Sequence, residues 1–296
     1  MRESVSNKAN LFLVGAMKAG TTRLCEIMQQ HRAIYVSPIK EPHFFVDTLP
    51  EILYEPSPFF SLERYFRKEF PKPLHIASVT QQDHYDLLFS LRKEEPYAME
   101  ASTMYLHEPN VAARIHSYNP NAKIIIITRE PYDRCESHYR MLVGLSRETR
   151  SFETVIKEEI KAYHDGTLPW YSCLGMSFYN EPINRYTQLF SEVLVLNFES
   201  LNQDEAATLQ KLSEFLDISS FDQNSVGVVN KTRTLRFKWL FYLLKKIGGK
   251  AIFSAIFGKR FKQAIFKRLS TDKKQEITLS QETFLAAQAI FKSHST

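Results

Sequence analysis

The chain has 296 residues, room for one large domain or two small ones at roughly 100–200 residues each. Its 44% apolar content fits a globular protein with a sizeable core, and no apolar run approaches the ~20 residues that span a bilayer. The net charge of +5 conceals an uneven distribution: twelve of the 38 Lys and Arg fall between Gln223 and Thr271, where no Asp or Glu occurs, leaving 26 basic against 33 acidic residues elsewhere. A local positive field of this kind points to an anionic partner. Cys25, Cys135 and Cys173 cannot all pair and show no metal-ligand spacing, so reduced thiols and a cytoplasmic setting are expected. The run Leu11–Ala16 follows a polar leader of mixed charge and lacks the shape of a signal peptide.

In chain order, the first predicted element is the strand "LFLVG" at 11–15, which runs into "AMKAGTT" and a helix-like segment. Gly15 and Gly20 occupy the two glycine slots of the nucleotide-binding pattern GxxxxGK[ST], but its lysine slot holds Thr21, and Lys18 stands three positions earlier. The loop still offers backbone N–H groups at a helix N-terminus, two threonine hydroxyls and a mobile cation, a combination that favours an oxyanion. Next comes "SPIKEPHFFVD" at 37–47, where Pro38 and Pro42 hold an extended loop. A hydroxyl acceptor must lose a proton during group transfer, and Glu41 and His43 are both plausible bases. Residues 48–96, rich in Pro and aromatics, read as a long excursion over a sheet.

Further strands are expected at "YAMEA" (97–101), "KIIIIT" (123–128) and "EVLVLNF" (192–198). Arg129 falls at the carboxyl end of the second of these, Pro131 suits the first turn of a helix, and Ser137 lies roughly two turns in. "SFETVIKEEIKAY" puts Phe152, Val155, Ile156 and Ile160 on one helix face, and "ATLQKLSEFLDI" does so with Leu209, Leu212, Phe215 and Leu216. Buried strands alternating with helices predict a doubly wound α/β sheet, mainly parallel, with helices on both faces and its ligand at the carboxyl ends of the strands. No repeat or low-complexity linker interrupts 1–296, so a single domain is expected. The basic segment at about 231–270 interleaves apolar and cationic residues. It reads as an amphipathic helical stretch that packs on the core, lies on an anionic membrane or grips a polyanion through 231–268.

Three of these stretches together resemble the sulfotransferases that use 3′-phosphoadenosine 5′-phosphosulfate (PAPS). Lys18-Ala19-Gly20-Thr21-Thr22 is similar to the family's 5′-phosphosulfate loop, with Arg23 directly following. Arg129, Pro131, Ser137 and Tyr139 match its 3′-phosphate segment R-x-P…S-x-Y, and "KEPHFF" resembles heparan-sulfate and related carbohydrate sulfotransferases. The resemblance implies a P-loop-like fold, with PAPS as sulfuryl donor, the bisphosphate PAP as product and no metal. The acceptor it implies is a hydroxyl, most naturally on a glycan, with no nucleic acid involved. It further implies Lys18 at the leaving phosphate, Glu41 as base with His43 assisting, and Lys231 or Arg233 closing over the 3′-phosphate. The chain departs from the family at Val46, which separates the paired aromatics from Asp47, and at Ala101, where the family often carries lysine. Sulfotransfer to a lipid or small-molecule alcohol, and a P-loop kinase or NTPase, are the competing readings. The last is disfavoured by Thr21 in the lysine slot and by Arg129 where a metal-binding Asp would stand.

Overall fold

The computed structural model describes residues 8–57, 60–222, 234–235, 270–271 and 277–294. Lys231, Arg233 and the rest of the basic segment at 231–270 lie outside them, apart from a short antiparallel pair, Thr234–Leu235 with Ser270–Thr271.

Four of the five strands of the main sheet are the runs expected from sequence: β1 (Leu11–Gly15), β5 (Tyr97–Ala101), β6 (Lys123–Thr128) and β7 (Val193–Asn197). The fifth, β2 (Ile34–Val36), is only three residues long. Their order is β2-β5-β1-β6-β7, and every pairing in this sheet is parallel. Because the centre of a parallel sheet is covered on both faces, its strands are continuously apolar. All of β1 is buried, as are Ile124–Ile127 of β6, and burying each such isoleucine contributes about 1.5–3 kcal/mol.

The stretch 48–96 is more structured than an excursion. Its strand β4 (Leu74–Ile76) pairs in parallel with β3 (Ile39–Glu41) to form a second, two-stranded sheet. That pairing fixes Glu41 at the end of β3, opposite Ile76.

Helix ends follow local chemistry. Helix α1 (Thr21–Met28) starts after Gly20, whose φ of 90° suits glycine. Two short helical segments, α2 (Leu62–Arg64) and α3 (Gln82–Leu87), flank β4 in the chain, and α4 (Val111–Tyr118) precedes β6. Helix α5 (Pro131–Gly144) has Pro131 in its first turn and the Glu130 carboxylate accepting from Asp133 N. Helix α6 (Phe152–His164) is capped by Ser151 and buries Phe152, Val155 and Ile156. Helices α7 (Asn180–Leu189), α8 (Phe198–Gln203) and α9 (Glu205–Leu216) follow, and α10 (Gln281–Ser293) packs on α5 and α6. Cys25, Cys135 and Cys173 are free and buried, and no described helix is long and apolar enough to cross a membrane.

The chain runs from β1 to β2 and β5 on one side, then to β6 and β7 on the other. The loops leaving β1 and β6 therefore part at a topological switch point, where open α/β sheets bind ligands.

Candidate active site

The loop after β1 is shaped by three residues with positive φ: Gly15 at 151°, Lys18 at 71° and Gly20 at 90°. Gly15 cannot carry a side chain here. A Cβ would sit 2.8 Å from Leu106 Cβ and 3.1 Å from the Thr103 carbonyl oxygen. Gly15→Ala is accordingly expected to destabilise the protein by about 1–3 kcal/mol through overpacking. Urea denaturation reads this as a lower midpoint, and an unchanged midpoint would show that the loop relaxes freely. At Gly20 a Cβ would meet the Phe198 ring at 2.6 Å, so this glycine lets the loop lie directly on an aromatic side chain. No side chain caps the start of α1.

Arg129 stands beside that loop. Its Nη1 donates to the Lys18 carbonyl at 3.3 Å, its guanidinium carbon lies 5.0 Å from the centre of the Phe198 ring, and its backbone N–H donates to Tyr179 Oη at 3.4 Å. Its Nη2 is 3.5 Å from Asp133, while its Nε is buried without a partner among the described residues. Two segments 111 residues apart in sequence thus meet at one point, with unused donor capacity between them. Ser137 is half-buried in the second turn of α5. Of the loop residues, Ala19 and Thr21 are buried and Thr22 is half-buried. Arg23 points elsewhere: its Nη1 donates to Asn202 and its Nη2 pairs with Glu205, so its guanidinium is tied to α8 and α9.

Lys18 is half-buried rather than a mobile solvent cation. Burial first, then the charges of Arg129 and Arg134, pull its ammonium below the ordinary lysine range, against an opposing pull from Glu41. The charges of the loop, of α5 and of β3 therefore act on one another.

Glu41 is buried, with Lys40 Nζ on Oε1 at 2.8 Å and Thr103 Oγ1 on Oε2 at 3.0 Å. Burial opposes its ionisation, but the charge and hydrogen bond of Lys40 counter this and hold the carboxyl below its usual value. His43 Nε2 lies 3.5 Å from Glu41 Oε2. Burial depresses the His43 imidazole more than Glu41 raises it, so the contact joins a carboxylate to a neutral ring. His43 is 1% exposed and has a left-handed backbone, φ 52°. Ala101, where a lysine would resemble the family pattern, is the buried last residue of β5.

Several residues at this site escaped the reading of the sequence. Arg134 is fully buried: its Nε donates to Ser177 Oγ at 2.7 Å and its Nη2 to the Cys173 carbonyl. Ser177 Oγ in turn donates to the Pro131 carbonyl at 3.0 Å, tying the turn Gly175–Ser177 to the start of α5. His138 and His107 lie buried nearby, kept neutral by burial and then by the charge of Arg134, His107 down at about 3. One signal was available, since Arg134, Cys135, His138, Tyr139 and Leu142 form the buried stripe of α5, and a charged residue in such a stripe is unusual. Glu100, at the end of β5, is buried completely and pushed up to about 7 by desolvation, against hydrogen bonds from Tyr85 and Ser102.

The chain matches the family model described as "Sulfotransferase family" over residues 10–223. It is similar to carbohydrate sulfotransferase 15 of Mus musculus, 21% identical over 267 residues, which cover 75% of this chain and 46% of that protein. It is 28% identical over 230 residues to the bifunctional heparan sulfate N-deacetylase/N-sulfotransferase 4 of Mus musculus, covering 74% of this chain and 23% of that one. The chain thus spans less than half the length of these two curated relatives. Among solved structures, a sulfotransferase from Alicyclobacillus acidocaldarius is 30% identical, covers 75% of this chain and 87% of its own, and superposes with a TM-score of 0.59. Since the family match takes in all five strands of the main sheet together with the loops leaving β1, β3 and β6, the chain belongs to the sulfotransferase family.

Proposed function

We propose that the protein transfers a sulfuryl group from PAPS to a hydroxyl of a carbohydrate acceptor. The observation that carries this reading is the meeting of Arg129 with the Lys18 loop, 3.3 Å from Nη1 to the Lys18 carbonyl. Such a pair suits a ligand with one anionic group at a helix N-terminus and a second, separate phosphate for an arginine fork. The unpartnered buried Nε of Arg129 fits a bound nucleotide of this kind. When bound, PAPS supplies an activated sulfuryl group on a 5′-phosphate.

The residues then divide the work. Lys18 neutralises charge on the 5′-phosphate oxygen as its bond to sulfur breaks, aided by Thr21, Thr22 and the N–H groups of the loop around Ala19 and Gly20. Arg129 and Ser137 hold the 3′-phosphate. Glu41 takes the proton from the acceptor hydroxyl as the new oxygen–sulfur bond forms, and His43, beside Oε2, assists. The family pattern extends cofactor contact to Arg23, but with its guanidinium on Asn202 and Glu205 this residue is assigned to holding α1 against α8 and α9. The carbohydrate class follows the names of the two curated relatives and the "KEPHFF" stretch.

The reading is tested by binding. Adenosine 3′,5′-bisphosphate is expected to raise the melting temperature at concentrations where ATP does not. Arg129→Ala should weaken the bisphosphate by about 1.5–3 kcal/mol, the range for a charge-assisted hydrogen bond, and leave adenosine 5′-monophosphate almost unaffected. A preference for ATP, or equal weakening of both ligands, would overturn it. Labelled PAPS offered with sugars, polysaccharides, lipid-linked glycans and simple alcohols then identifies the acceptor, and transfer only to non-sugar alcohols would reject the carbohydrate class.

A further inference from the structure

The segment that follows β5 clamps the end of β3 and the segment after it at three points, all buried. Ser102 Oγ accepts from His43 N at 3.3 Å, Thr103 Oγ1 donates to Glu41 Oε2 at 3.0 Å, and Tyr105 Oη accepts from Phe45 N at 3.3 Å. Ser102 is itself anchored, donating to Glu100 Oε1 at 2.7 Å, and the other oxygen of Glu100 accepts from Tyr85 Oη. Glu100 and Ser102 are both completely buried, so their hydrogen bonds have no water to replace them. The clamp acts where the backbone needs it most. His43 is held in a left-handed conformation that a residue with a Cβ adopts only when its surroundings impose it.

We propose that Glu100 and Ser102 are positioning residues: Glu100 fixes the Ser102 hydroxyl, and Ser102 fixes the backbone of His43, so that the imidazole and the Glu41 carboxylate stay face to face. The proposal rests on the reading of Glu41 and His43 as the proton-accepting pair. Neither Glu100 nor Ser102 need touch the donor or the acceptor. Lys40 and Thr103 hold the two oxygens of Glu41, whereas the His43 ring has only looser polar neighbours, Glu41 Oε2 at 3.5 Å and the backbone of Ala77 and Glu41, so its alignment depends on where its own backbone is held.

Three variants test this: Ser102→Ala, which removes both bonds of the relay; Glu100→Leu, which removes its anchor; and Glu100→Gln, whose amide can accept from Ser102 and donate to Tyr85. Ser102→Ala and Glu100→Leu are expected to lower kcat about tenfold or somewhat more, as for a slightly misplaced catalytic group, while the KM for PAPS stays within about twofold. Glu100→Gln should restore most of kcat. Independently of turnover, the His43 ring resonances in a histidine-selective NMR spectrum, assigned with His43→Gln, should move in the first two variants and not in the third. Unchanged kcat and an unmoved His43 signal in folded Ser102→Ala overturn the proposal. So does a kcat that falls only together with affinity for adenosine 3′,5′-bisphosphate, which marks general damage. If Ser102→Ala does not fold, Glu100→Leu decides by the same readouts. Wild-type protein that binds no bisphosphate and transfers no sulfuryl group, yet shows the same His43 shifts, would reject the enzymatic reading and keep the positioning role.

Discussion

Lys18→Ala is expected to lower the rate of sulfuryl transfer by on the order of 10²–10³, the usual cost of removing one preorganised charge-stabilising group. The loop should survive the change, because Gly15, Gly20 and the Phe198 contact shape it without help from the lysine side chain. Lys18 does sit at φ 71°, and alanine is no better suited to that conformation than lysine, so the strain is carried over rather than created. Affinity for the bisphosphate product should change much less than kcat if Lys18 acts mainly on charge that develops as the bond to sulfur breaks. A second consequence concerns pH. The ammonium is held below the ordinary lysine range by burial and by Arg129 and Arg134, and it is useful only while protonated. The alkaline limb of kcat/KM, which reports the free enzyme, should therefore begin below that range, while in kcat, which reports the complex, the bound anionic donor should push it back up. Turnover near wild type in Lys18→Ala, measured under single-turnover conditions, would remove Lys18 from the chemistry.

The sheet was legible because parallel strands buried on both faces have little freedom of composition, and "LFLVG" and "KIIIIT" could hardly be anything else. The two segments that meet where Arg129 reaches the Lys18 carbonyl were legible for a different reason: glycine, lysine and hydroxyl residues crowd into one short turn, and an arginine ends an apolar strand. What stayed hidden depends on contacts between residues remote in sequence. Ser102 and Thr103 carry no local signal for their bonds to His43 and Glu41, which lie 59 and 62 positions away. Phe198 reads as the last residue of a strand, yet it opens α8 and forms the platform on which Gly20 and Arg129 rest. The strands β2 and β4, three residues each, are too short for alternation or run length to separate from loop. Arg134 lies between these cases: its place in the apolar stripe of α5 could be read, but its partners Cys173 and Ser177 could not.

Glu41→Gln is expected to cost about 10²–10⁴ in kcat if the carboxylate accepts the acceptor's proton. The amide keeps the size of the side chain and can still accept from Thr103, so loss of packing is not the cause. It does leave Lys40 facing an uncharged group at a position only 14% exposed, and some stability should be lost with the ion pair. The two effects separate by pH. The folded-state carboxyl of Glu41 is depressed, so its contribution to stability is present above the ordinary carboxylate range and is lost as pH falls through the folded value. Wild type and Glu41→Gln should therefore differ in melting temperature at neutral pH and converge in acid, whereas the rate deficit persists wherever both are folded. His43→Gln provides the comparison. The neutral imidazole, 3.5 Å from Oε2, can receive a proton directly or steady the carboxylate that does. If Glu41 is the base, His43→Gln retains clearly more activity than Glu41→Gln, and the acid limb of kcat/KM follows the depressed carboxylate. If His43→Gln is the more damaged and Glu41→Gln turns over at close to the wild-type rate, the imidazole is the base and Glu41 its orienting partner.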